Sequence, residues 1–228
     1  MSPAEPDVDV RILREAARPL ADATDVPDEL IDQLAKARFV LLGEASHGTE
    51  DFYACRARIT QRLVAERGFD AVAVEGDWPD AWRVNRHVRG GGDDRDAASA
   101  LSGFERFPSW MWRNTVVASF VQWLRSENFK RPPDAPATGF YGIDLYSLHA
   151  SMSEVLRYLA RTDPEAWTRA RERYGCFDRY DSDARRYGLL AGLATGDTCE
   201  TEVLATLVEL QARRAQALAE SGRGTGPA

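Results

Sequence analysis

Cysteine and histidine are scarce in this chain of 228 residues, with three of each. Cys55, Cys176 and Cys199 are odd in number, widely spaced and without a Cys-x-x-Cys pair. That argues against a disulfide framework and a thiolate zinc site, and leaves buried or idle thiols as the expectation. His47, His87 and His149 lack the His-Glu-x-x-His spacing that sets two imidazoles on one helix face, so neither metal nor cofactor is expected. Basic residues are outnumbered, with 29 Lys and Arg against 36 Asp and Glu, a formal charge of -7. Such a chain lacks the cationic excess that a nucleic-acid backbone or an anionic membrane attracts. No basic flank followed by an apolar stretch opens the sequence, and no segment approaches the roughly 20 apolar residues that span a bilayer. The expectation is a soluble cytoplasmic protein acting on a small molecule, with a homo-oligomer left open. Gly90-Gly-Gly92 has no following Gly-Lys-Ser/Thr and reads as a surface loop, not a phosphate cradle.

What is present suits a single α/β domain over residues 1–220 with a disordered tail at 221–228. A hydrophobic content of 44% suffices for one sizeable core. Residues 8–20 carry apolar side chains at helical spacing, and Pro27 opens a second short helix through Leu34. The apolar run 39–42, closed by Gly43, reads as a buried strand. Phe52, Cys55, Ile59 and Leu63 then recur every three or four residues, predicting a helix over 49–67 stopped by Gly68. A strand at 71–74 follows directly. Strand, helix and strand in this length make a right-handed parallel unit, the core of a mostly parallel central sheet flanked by helices. Further helices are predicted over 80–88, 110–128 and 147–160, with a third strand over 138–143. The last helix begins at the capping-box pattern Asp197-Thr-Cys-Glu200.

Ligands of parallel sheets bind beyond the carboxyl ends of the strands, and each of the three apolar runs ends in an acid: Glu44, Glu75 and Asp144. His47 lies just before a helix start, between the positive end of the helix dipole and the acids Glu44 and Glu75, where an imidazole can serve as a base toward water. Ser46 and His47 serve equally well as helix caps, and Asp144 as the cap of the helix after it. Gly43-Glu-Ala-Ser-His-Gly48 is not a Gly-x-Ser-x-Gly elbow, so Ser46 is expected to cap rather than attack. Arg56, two turns into the helix, would bind an acid or an oxyanion, or form a structural ion pair with Glu75 or Asp144. Trp78, Trp82, Trp110 and Trp112 line a bulky apolar ligand's site or belong to the core. His87 and His149 are expected to be structural.

Leu42-Gly-Glu-Ala-Ser-His-Gly-Thr49, Val74-Glu-Gly-Asp-Trp-Pro-Asp80 and Phe140-Tyr-Gly-Ile-Asp-Leu-Tyr-Ser147 resemble the erythromycin esterase family, including relatives named for polysaccharide biosynthesis. The resemblance implies an erythromycin-esterase-like fold and a metal-independent hydrolase opening an ester or macrolide lactone with histidine-activated water. By motif, His47 matches the general base, Glu44 and Glu75 the site carboxylates, and Arg56 the arginine on the first helix. Asp144, Trp78 and Trp110 are then candidates for contact with substrate. Family members usually continue into a second helical part, so the chain is expected to be shortened at its C-terminus. The alternative is a catalytically impaired member that binds a ligand or partner.

Overall fold

The computed structural model describes residues 8–17, 19–132, 134–144, 146–180 and 199–223. Its helices are α1 (Val8–Ala16), α2 (Asp28–Leu34), α3 (Glu50–Arg67), α4 (Trp78–Val88), α5 (Ala97–Leu101), α6 (Thr115–Lys130), α7 (Leu148–Thr162), α8 (Pro164–Tyr174) and α9 (Glu200–Arg223). Two strands, β1 (Ala71–Asp77) and β2 (Gly139–Asp144), pair in parallel, giving the expected mixed α/β class. Among the described residues no helix is long and apolar enough to cross a membrane.

Two compact units are distinguishable. The first runs through Val74 and resumes over Asp80–Tyr141; the second comprises Glu75–Pro79 and the chain from Gly142 onward. In the first, α3 packs on α6 and α2, and α5 packs on α6. Its core joins Val64 of α3, Val74, Val84 and Val88 of α4, Leu101, Val121 and Leu124 of α6, and Phe140. Each such aliphatic side chain contributes about 1.5–3 kcal/mol when fully buried. The buried Asn85 side chain accepts the Phe140 N–H at 2.9 Å, fastening α4 to β2. In the second unit α8 packs against α7 and α9. Asp163 caps α8, accepting the Ala166 N–H at 2.8 Å, with Pro164 at the first helical position. Gly142 is required there, because a Cβ would stand 2.4 Å from the Gly76 carbonyl oxygen.

Several expectations need correction. Residues 39–42 form no strand: no described strand pairs with them, and Phe39 and Leu41 are 75% and 93% exposed. An apolar run supplies one face of a strand but not its hydrogen-bonding neighbour. The helix expected over 110–128 is divided into a 3-10 turn, Ser109–Met111, and α6, because the Asn114 side chain accepts the Val117 N–H and starts the helix afresh. Cys176 and Cys199 are not idle thiols but a disulfide, while Cys55 is free. Backbone helix continues through Arg223, into the expected tail; Asp197, Thr198 and residues 224–228 lie outside the described residues.

Candidate active site

Side chains over residues 39–44 alternate outward and inward, Val40 and Leu42 packing with Ile31, Ile59 and Leu63. That register turns Glu44 inward, leaving its side chain 9% exposed. On α3, Arg56 precedes Ile59 and Leu63 by three and seven residues and so shares their face. Where the apolar contact between the two segments ends, acid meets guanidinium. Arg56 Nη2 stands 2.7 Å from Glu44 Oε2, a close ion pair without the alignment of a hydrogen bond.

The other carboxylate oxygen faces the imidazole. His47 Nδ1 lies 2.5 Å from Glu44 Oε1, and an acceptor there selects the tautomer that carries its proton on Nδ1. Nε2 is thereby left with its lone pair, and it makes no hydrogen bond among the described residues. The His47 side chain is 43% exposed, so water has access to it. Ser46 does not cap α3. Its hydroxyl pairs with that of Thr49 at 3.0 Å, and Thr49 is the N-cap residue, without a side-chain cap bond.

After His47 the chain turns through Gly48, whose φ of 86° lies in the left-handed region. A Cβ on Gly48 would stand 3.0 Å from the Trp110 ring. The Gly48 N–H donates to the Tyr53 hydroxyl at 3.2 Å, and the Tyr53 ring lies 5.0 Å from the guanidinium carbon of Arg56. Gly48, Glu50, Tyr53, Trp110, Asn114, Thr115 and Val116 line an open cleft of about 440 Å³. Asn114 steadies its far wall, donating to the Trp110 and Met111 carbonyls at 3.2 and 3.1 Å while capping α6.

Glu44, His47 and Arg56 meet, Arg56 pairing with Glu44 where the sequence had pointed to Glu75 or Asp144, and Trp110 lines the cleft that begins at Gly48. Glu75, Trp78 and Asp144 belong to the second unit. Glu75 is exposed on β1, Trp78 opens α4 at 40% exposure, and Asp144 closes β2 without capping α7, whose N-cap residue is Ser147. Trp82 is 40% exposed on α4, whereas Trp112 packs beside Phe104. Sequence reasoning missed Tyr53 and Asn114. Tyr53 precedes Arg56 by one helical turn, the spacing that brings ring and guanidinium together, and that signal was available.

The other imidazoles have structural settings. His87 is buried with Nδ1 3.2 Å from the Asp94 carbonyl oxygen; burial, and then the charge of Arg125, push its pKa below the usual imidazole value. His149 lies edge-on to Phe177 at 6.4 Å. Among the described residues no group of three or more His, Cys, Asp and Glu is placed to hold a metal ion.

The crystal structure of a succinoglycan biosynthesis protein superposes with a TM-score of 0.61 at 22% identity, covering 81% of this chain and 47% of that one. A protein from Bacillus cereus superposes with a TM-score of 0.59 at 21% identity, covering 81% of this chain and 44% of that one. At these identities the likeness shows the fold alone, and the chain spans less than half the length of either solved relative. The family profile for erythromycin esterase matches residues 64–226. Glu44, His47 and Arg56 precede that span, so their assignment rests on the geometry above and on the motif that carries them. With well over half of its length matched, the chain belongs to the erythromycin esterase family.

Proposed function

We propose that this chain carries the water-activating centre of an ester or lactone hydrolase, with His47 as general base. The observation that supports it is one largely buried carboxylate, Glu44, shared between the Nδ1 of His47 and the guanidinium of Arg56, with the second imidazole nitrogen without a hydrogen bond among the described residues and an aromatic-walled cleft beginning at the next residue, Gly48. Water at Nε2 gives its proton to the imidazole as its oxygen adds to the ester carbonyl. The tetrahedral adduct then collapses, and the imidazolium returns the proton to the departing alkoxide. Glu44 stabilises the imidazolium that forms, and Arg56 holds Glu44 in place. No enzyme nucleophile and no metal is needed for this sequence of steps. Trp110 offers a flat apolar surface to the body of the substrate. By resemblance Glu75 matches a second carboxylate of the family's site, while Trp78 and Asp144 are proposed as substrate contacts from their sequence positions alone.

A screen of aryl esters and macrolide lactones in ¹⁸O-labelled water tests the reading. The expected result is turnover with one solvent oxygen in each carboxylate released and no loss of rate in the presence of a chelator. Saturable binding of these compounds without turnover would instead favour a ligand-binding module.

A further inference from the structure

We propose that Tyr53 is a positioning residue for the His47 centre, an inference that rests on the hydrolase reading above. The contacts form a closed circuit. His47 bonds to Glu44, Glu44 pairs with Arg56, Arg56 lies over the Tyr53 ring, and the Tyr53 hydroxyl accepts from Gly48, the residue covalently next to His47. Tyr53 is 5% exposed and its ring is anchored in the core of the first unit, so it supplies the fixed point of that circuit.

Its two ends do different things. The π face toward Arg56 is an electrostatic support, holding the guanidinium where it meets Glu44. The hydroxyl fixes the backbone of a left-handed glycine, a position with no side chain of its own to restrain it. Both imidazole placement and tautomer depend on the turn at Gly48 staying where it is. Without the hydroxyl, the Gly48 N–H loses its acceptor and His47 is free to leave its place against Glu44. Tyr53 also lines the cleft, but it enters the reaction through His47 and not by proton transfer of its own.

The test is Tyr53→Phe, which keeps the ring, its packing and its face toward Arg56 while deleting the hydroxyl. Two readouts are needed. In steady-state hydrolysis the variant should lose about ten- to a hundredfold in kcat with KM unchanged, since a misplaced base affects chemistry more than the apolar contacts that hold substrate. In ¹⁵N spectra of histidine-labelled protein, in which only three imidazoles report, His47 should change from a single tautomer protonated at Nδ1 to a mixture, and amide exchange at Gly48 should accelerate. The spectra and the exchange do not depend on activity. A wild-type chain that hydrolyses nothing would defeat the hydrolase reading, yet the positioning role would still be decided by the His47 signals. Unchanged kcat in an active protein, or unchanged His47 tautomer and Gly48 exchange in either case, would overturn it.

Discussion

Two regions of this molecule place a carboxylate among arginines, and they do different things with it. In the second unit Glu209 of α9 receives Arg169 and Arg173 of α8 at 2.5 and 2.9 Å, while Arg213 pairs with Asp163. The apolar residues beside this network, Leu159, Ala166 and Ala170, pack together closely. Every charge there is answered by an opposite charge on a neighbouring helix, so the cluster ties helices together. In the first unit Glu44 has, among the described residues, a single arginine, and its second oxygen faces the half-exposed imidazole of His47, one residue before the cleft-lining Gly48. An acid answered only by arginines is architecture; the same pair with an imidazole open to water is what the proposed hydrolase reading requires.

Substituting the two carboxylates alike should separate these roles. Glu44→Gln should lower ester hydrolysis by about 100-fold or more, because the amide cannot stabilise an imidazolium as a carboxylate does. Glu209→Gln should leave the rate unchanged and lower the melting temperature by about 2–4 °C. Equal losses of activity in both variants would erase the distinction. Gly48→Ala should have a middle effect. Its left-handed φ would cost about 1–2 kcal/mol with a Cβ present, and the new methyl would press on the Trp110 ring. We expect about a tenfold loss of activity with weakened substrate binding, measured as a rise in KM along with a fall in kcat.

The smallest effect is a difference in acid sensitivity. His87 has its pKa pushed below 6.5, first by burial, so its neutral form stabilises the first unit above that pH and the contribution is lost as the pH falls toward the folded value. Glu209 has its pKa pushed below 4.5, first by Arg169, so its contribution is present above that value and is lost only as the pH falls through the lower folded one. Hydrogen exchange at pH 7, 5.5 and 3.5 should show α4 losing protection at the middle value and α8 only at the lowest. Loss in the reverse order would contradict both assignments.

Much of this was legible in the sequence where the signal was local. The spacing of Phe52, Cys55, Ile59 and Leu63 with Gly68 after them foretold α3, which ends with Gly68 at a φ of 75°. Glu44 and His47 are three residues apart across a turn, so their meeting needed little long-range information, whereas Arg56 had been expected to pair with Glu75 or Asp144. What escaped depended on partners distant in sequence or on signals passed over. Nothing in the spacing of Cys176 and Cys199 announces their bond, and the run at 39–42 does not declare whether another strand adjoins it. The hydroxyl of Tyr53 meets the Gly48 N–H only five residues before it, at the first turn of α3, a local signal that was passed over. Likewise α8 had a clear signal, Asp163-Pro164 with Ala166 receiving the cap, that was not read as a helix start.

The most direct measurement of the central claim is the initial rate of aryl ester hydrolysis by His47→Asn against the wild-type chain at matched folded concentration. The account predicts a loss of about 10²–10⁴-fold with the fold intact, the range that a positioned general base contributes. A folded His47→Asn protein that turns over ester at the wild-type rate would contradict it.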